Sequence, residues 1–398
     1  MKSPRTSLAL WALAALAVSA CEEVEQVQDR FRDLTPHEAY LASLTDAGLA
    51  ESALGRDWIE ASRTAVEAPA PISLPFQEEG FITAEEPGAM AYRVRIGRGQ
   101  RLTAEVRLDS GEDTRVFVDF FRVPGDEQDP LRPVLSLDSV PGDFAHEPWR
   151  GGDFIIRIQP ELLRGGRYLV VLRLEAQLAF PVQGYDEGAI QSVFGDPREA
   201  GRRTHHGVDI FARRGTPVVA TSEGTIRRVE ITNIGGKVVW LRDPVRNSSI
   251  YYAHLDSQVV RDGQSVKPGD VVGYVGNTGN ARTTPPHLHF GIYRRGEGPV
   301  DPAPFVRRPR GSLADLTADL DRLGSWVRLR NEGIRLRAAP GLRSDVVQEM
   351  GQHTPLRILG GSGEFYRVRL PDGAQGYVAS RLTEAVDQPV GTRTASVG

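Results

Sequence analysis

Apolar and polar positions along this chain change their period several times, and each change marks a different element. Leu8 to Val18 is an unbroken apolar run. Between Glu22 and Ala70 the pattern becomes polar and helical, and Thr35-Pro36-His37-Glu38 reads as an N-cap, a proline in the first turn and a capping-box glutamate. Ala68-Pro69-Ala70-Pro71 then stiffens the chain and ends the helical segment at 21–71. Over residues 80–176 the period drops to two, as in Tyr92-Arg93-Val94-Arg95-Ile96 and Leu102-Thr103-Ala104-Glu105-Val106, with turns at Gly97, Gly111 and Gly165-Gly166. Short alternating strands between regular turns predict a β-sandwich. Alternation resumes over 183–306 and again over 325–385, separated by an Arg- and Pro-bearing linker at 307–324 that holds a short amphipathic run, Leu313 to Leu323. A flexible tail is expected over 386–398. The fold class read from these patterns is mainly β, with a helical segment near the N-terminus.

At 398 residues the chain exceeds one ordinary core, and its hydrophobic fraction of 40% with 25% charged residues is that of folded globular modules. Charge is distributed unevenly. Residues 22–182 carry 17 basic and 29 acidic side chains, 183–306 carry 15 and 13, and 307–398 carry 14 and 10. No basic stripe suits duplex nucleic acid, so no nucleic-acid partner is expected, while the near-neutral rear tolerates an anionic polymer.

The first 20 residues read as an export signal, with Lys2 and Arg5 ahead of the apolar run and small residues after it. Val18-Ser19-Ala20-Cys21 resembles the bacterial lipobox, which implies lipidation of Cys21, the only cysteine in the chain. The run is too short to span a bilayer, which takes about 20 apolar residues. The expectation is an exported protein anchored by lipid to a membrane, with Glu22 after the cysteine favouring the outer membrane and a periplasmic orientation. No cysteine is left for a disulfide, so each module needs its own core.

Candidate chemistry gathers in the middle segment. Five of the chain's eight histidines lie there, at 205, 206, 254, 287 and 289. In His205-His206-Gly207-Val208-Asp209 an extended backbone places His205, Gly207 and Asp209 on one face, and the bare Gly207 leaves room for a metal ion over it. His206 points away by the same parity. In His287-Leu288-His289-Phe290-Gly291-Ile292-Tyr293 the apolar residues alternate with His287 and His289, so two imidazoles converge on a cleft in front of a core-backed strand. A lone histidine is usually a structural one; two on the polar face of one strand argue for a site. In Ile250-Tyr251-Tyr252-Ala253-His254-Leu255, His254 shares a face with Ile250 and Tyr252 and reaches toward the same cleft. Two imidazoles and a carboxylate complete a catalytic zinc site with its fourth position open to water.

Taken in order, Phe194-Gly195-Asp196-Pro197-Arg198, HHGVD, Gly215-Thr216-Pro217-Val218-Val219-Ala220 with Gly224-Thr225-Ile226, YYAHL and PHLHFGIY resemble the lysostaphin-type zinc metallopeptidases of bacterial cell walls. The resemblance implies a small antiparallel β domain, one zinc ion held by His205, Asp209 and His289, and His254 and His287 flanking the water and the substrate carbonyl. Sharing a strand face with His289 assigns His287 as the general base and leaves His254 to stabilise developing charge, though the two roles are exchangeable. The implied substrate is peptidoglycan, cut at a cross-link or stem-peptide amide. The loop Gly276 to Pro286 is longer than the family's usual turn and carries Arg282. Ile334-Arg335-Leu336-Arg337-Ala338-Ala339-Pro340-Gly341 with Tyr366-Arg367-Val368-Arg369-Leu370 resembles bacterial SH3-like barrels, which accompany wall hydrolases and grip the polymer, and residues 80–176 resemble pre-peptidase sandwiches. The competing functional reading is a silent wall-binding activator of another hydrolase. It requires lost metal ligands, and none is lost here.

Overall fold

A computed structural model describes residues 34–386 except 111–113, 127–128, 139–141 and 199–200. Cys21 and the rest of the export signal lie outside the described residues, as does most of the expected tail. Among the described residues no helix is long and apolar enough to cross a membrane.

Two helices open the described chain. Pro36–Asp46 starts on the capping box expected at Thr35: the Thr35 hydroxyl accepts from Glu38 N at 3.2 Å, and Glu38 Oε2 accepts from Thr35 N at 2.8 Å. Ala53–Glu67 starts on Ser52, whose hydroxyl accepts from Gly55 N. Both pack on the sandwich through Trp58, which is buried, stacks on His37 at 4.8 Å and donates its indole N–H to Pro160 O at 2.9 Å.

Alternation does build a sandwich. One sheet centres on Met90–Ile96, Gly152–Pro160 and Val116–Arg122, the other on Phe76–Ile82, Gly166–Ala176 and Gln100–Asp109. Inward residues of both, including Val94, Ile96, Leu102, Phe120, Ile156 and Leu172, make one core. Ala70–Pro71 already pairs in parallel with Met90–Ile96, and the long strand Phe76–Ile82 also begins ahead of the residue-80 start read from the pattern and does more than close the sandwich. Its outer edge pairs with Pro355–Ser362 of the C-terminal module through Glu79 opposite Gly361 and Gly80 opposite Gly360, joining two modules in one eleven-stranded sheet. Beside that seam, fully buried Glu78 accepts from Tyr92 and Tyr168 hydroxyls at 2.8 Å, from Tyr377 at 2.6 Å and from Arg367 at 3.3 Å. A side chain on Gly80 would strike the Tyr168 ring, at 2.3 Å from Cζ, so glycine permits the crossing.

The middle segment folds around an eight-stranded sheet. Its order runs Ile190–Ser192, Val208–Phe211, His287–Arg294, Ser248–Leu255, Gly236–Asp243, Gly224–Thr232, Ser265–Val266, with Gly298–Val300 against His287–Arg294. One face, with Val208, Ile210, Val239, Leu241, Ile250, Tyr252, Leu288 and Phe290, is buried. The other face carries the histidines. The sandwich docks at the Arg294 end of this sheet, through Arg98 to Glu297 at 2.6 Å, Glu147 to Arg246 at 2.8 Å and Arg294 stacked over Trp149. His289 sits five residues back along the same strand, so the histidine end faces away from this contact.

Beyond residue 306 the run Leu313 to Leu323 forms only a 3-10 turn at Leu320–Arg322. The strands from Trp326 to Ala385 then close around Val327, Leu329, Leu336, Leu356, Ile358, Val368 and Val378.

Candidate active site

Asp209 and His289 are direct cross-strand partners, as are Phe211 and His287. Because Val208, Ile210, Leu288 and Phe290 bury the opposite face, all four of these side chains are turned to the cleft. His205 comes from the loop ahead of the Asp209 strand, held by His205 N donating to Asp196 O and Gly195 N donating to His205 O, each at 2.9 Å. Three atoms then converge: His205 Nε2 lies 2.9 Å from His289 Nδ1 and 3.1 Å from Asp209 Oδ1, and His289 Nδ1 lies 3.0 Å from Asp209 Oδ1.

The tautomer of His205 follows from its other nitrogen. Nδ1 is 2.8 Å from Val193 O, which can only accept, so the proton is on Nδ1 and Nε2 turns a lone pair to the cluster. A lone pair, a carboxylate oxygen and a second imidazole nitrogen around one point form a donor set suited to a metal cation, and these three residues can hold one. Burial alone would raise the Asp209 carboxyl, but hydrogen bonds with His205 and His289 hold it below the ordinary carboxylate range. Burial lowers His289.

Gly207 plays a different part from the one its position suggests. A Cβ there would lie 2.5 Å from Phe290 O and 2.8 Å from His289 Cε1, so the His289 imidazole covers the glycine and no ion sits over it. His206 is exposed and faces Phe194, as parity predicts.

His254 reaches the cleft by a route that alternation does not describe. Ile250 and Tyr252, its neighbours by parity, point into the core, and Tyr252 pairs with Phe290. His254 escapes that face because its backbone is left-handed, with φ 62°, where the strand leaves regular register. Its N–H donates to Gly235 O at 2.7 Å and its Nδ1 to Thr278 O at 2.9 Å. His287 donates through Nδ1 to Pro285 O at 2.9 Å and stacks on Phe211. Both rings therefore turn a bare Nε2 outward. They lie 5.1 Å apart, and His254 is 5.9 Å from His289. Burial, with His287 and His289 adding to it, pushes His254 down to about 4.

One participant has no role in the pattern reading. Arg198, on the short hairpin Pro197–Arg198 with Arg203–Thr204, donates to Asp209 Oδ2 at 2.6 Å and to Ser192 Oγ at 2.6 Å. The Phe194–Arg198 turn flagged the segment, but nothing in residue spacing pointed from Arg198 to Asp209. Arg282 is exposed on its loop.

Residues 203–302 match peptidase family M23, and residues 332–384 match the bacterial SH3 domain. The chain carries an M23 peptidase domain. The chain is 39% identical over 140 residues to the L-Ala--D-Glu endopeptidase of Bacillus subtilis, covering 32% of this chain and 43% of that protein. It is 40% identical over 90 residues to lysostaphin of Staphylococcus simulans, covering 22% of this chain and 17% of that one. The chain thus spans less than half the length of these curated relatives. A solved structure of the lysostaphin catalytic domain from Staphylococcus simulans aligns at 31% identity and TM-score 0.25, over 33% of this chain and 91% of that one.

Proposed function

We propose that the chain is a zinc-dependent endopeptidase of bacterial peptidoglycan. The observation that carries this reading is the convergence of His205 Nε2, Asp209 Oδ1 and His289 Nδ1 within about 3 Å of one another, beside two further imidazoles with outward Nε2 lone pairs. The donor set suits one zinc ion, which when bound supplies a Lewis acid and lowers the pKa of a water to about 7. Similarity to a peptidoglycan DD-endopeptidase of Vibrio cholerae, 35% identical over 91 residues, and to the L-Ala--D-Glu endopeptidase supports the substrate class.

The protein's own residues divide the remaining work. His287 Nε2 accepts the proton of the attacking water, its ring fixed by Pro285 O and Phe211. The strand-face argument left His254 to stabilise developing charge. With Nδ1–H committed to Thr278 O, neutral His254 has no second N–H to donate, so its resting role is to accept a hydrogen bond and orient the water. It becomes a donor only after taking up a proton.

Zinc content and product analysis on the whole mature chain test this reading. His289→Ala should lower metal content and peptide release together, while His287→Ala should keep zinc near stoichiometric and cut turnover by roughly a hundredfold to ten-thousandfold. A zinc-loaded wild type that releases no new peptide ends from walls of any cross-link type would sink the hydrolase reading and leave the activator. The bacterial SH3 domain is read as the wall-gripping module. Anchoring is tested separately: Cys21→Ser should move the protein from the membrane fraction to the soluble one, and equal membrane retention would remove the lipid anchor and its outer-membrane placement.

A further inference from the structure

The histidine face of the M23 sheet continues past the metal ligands into an aromatic shelf. Cross-strand register sets His289 opposite Ala253, Gly291 opposite Tyr251, and Tyr251 opposite Trp240, so these side chains share one face while Phe290, Tyr252, Val239 and Leu241 fill the core behind. Trp240, Tyr251 and Tyr293 touch one another, with ring centroids 4.3 Å apart for Trp240 and Tyr251 and 5.3 Å for Trp240 and Tyr293. Tyr251 also meets His289 edge-on at 5.9 Å, so the shelf is continuous with the site. All three rings are half-buried, on a sheet face that needs no aromatic residue to complete its core. Gly291 lies buried between His289 and Tyr293, where a Cβ would meet His206 O at 3.2 Å and Tyr293 Cε2 at 3.3 Å, so the bare glycine lets the Tyr293 ring pack in toward His289. Exposed Arg228, opposite Trp240 on the next strand, and Arg242 give the shelf a hydrogen-bonding rim.

We propose that this shelf binds the sugar ring from which a stem peptide begins, and so directs the M23 site to amides at the sugar-proximal end of the stem. A pyranose presents a face of C–H bonds ringed by hydroxyl and N-acetyl groups, which matches an electron-rich aromatic face with a polar rim. Distance selects the bond. Trp240 is two strands across from His289 and two residues along, about 12 Å at about 4.8 Å per strand and about 3.4 Å per residue, and an extended residue advances about 3.3–3.6 Å. A ring on Trp240 therefore leaves about three to four residue lengths to the metal site: the lactyl link and the first two or three amino acids. A cross-link at the far end of the stem would leave the shelf empty.

The inference rests on the hydrolase reading, and the test separates the two. In the full mature chain bearing His287→Ala to stop turnover, titration calorimetry compares N-acetylmuramyl-L-alanyl-D-isoglutamine with the same dipeptide lacking the sugar. The sugar-bearing probe should bind about tenfold tighter, the size of one stacked aromatic contact. Adding Trp240→Ala should erase that ratio, Tyr293→Ala should reduce it, and Trp240→Phe should keep most of it. Equal affinity for both probes, or a Trp240→Ala loss that falls equally on both, overturns the shelf. A sugar preference in binding without hydrolysis by the wild type would keep the shelf and reject the peptidase. Hydrolysis with equal kcat/KM on sugar-bearing and sugar-free peptides would do the reverse.

Discussion

Arg198 donates to the outer oxygen of Asp209 and leaves Oδ1 alone facing His205 and His289. That hydrogen bond defines the carboxylate as a one-oxygen donor and fixes its plane, as residues behind metal ligands commonly do. Arg198→Ala should therefore weaken zinc binding about tenfold to a hundredfold, read by competition with a chromophoric chelator, with Arg198→Lys recovering only part because a single ammonium cannot span both Asp209 and Ser192. Unchanged zinc affinity in both variants would make Arg198 a surface-hairpin residue and nothing more. The juxtaposition of Asp209 and His289 was legible because strand parity turns both away from the apolar residues that flank them. Arg198 was not, since its partner is eleven residues away across a hairpin whose geometry leaves no periodic trace. The carbonyls of Val193, Thr278 and Pro285, which set three histidine tautomers, were equally invisible: backbone acceptors carry no residue signature.

Among the elements, the strands with regular alternation were readable and those that break it were not. The strand His287–Arg294 obeys parity throughout, whereas His254 obeys it only until its backbone turns left-handed, and the resulting side-chain flip delivers to the cleft a residue that alternation sends to the core. The helix Pro36–Asp46 was legible from its capping box, yet its use of His37 was not. His37 is buried, stacked on Trp58, and donates Nε2–H to Gln159 Oε1, whose own amide nitrogen is committed to Trp58 O. Burial, with Arg157 adding to it, lowers its pKa from 6.5 to about 4. Between those values the unfolded chain binds more protons than the folded one, so this contribution is complete above about 6.5 and is lost as the pH falls toward 4. At pH 5 the loss should be about 2 kcal/mol. Urea unfolding at pH 7 and pH 5 checks it: His37→Phe, which does not titrate, should lose less stability on acidification than the wild type, and an equal loss would place the pH sensitivity elsewhere.

At the scale of the whole molecule the pattern of periods divided the chain into sandwich, peptidase and barrel, but it could not show that the first and last share a sheet. Hydrophobic period reports which face of a strand is buried and is silent about which strand lies at its edge. Glu78 is where that seam has the most at stake. Glu78→Ala would leave Arg367 and three tyrosine hydroxyls without their acceptor in a closed interior and should cost about 3–5 kcal/mol, measured as a lowered unfolding midpoint, whereas Glu78→Gln should cost less because an acceptor oxygen remains. Equal midpoints for Glu78→Ala and wild type would mean the seam contributes nothing. The same seam changes how the chain can be dissected. Ending the protein before Trp326 would strip Phe76–Ile82 of its outer neighbour, expose its edge for pairing with other chains, and strand an acid inside the sandwich. Loss of the proposed wall adhesion and loss of fold would then arrive together, and a truncation designed to ask whether the barrel grips the wall would answer a question about solubility. Substitutions on the barrel surface remote from Pro355–Ser362 leave the shared sheet whole and keep the two questions apart.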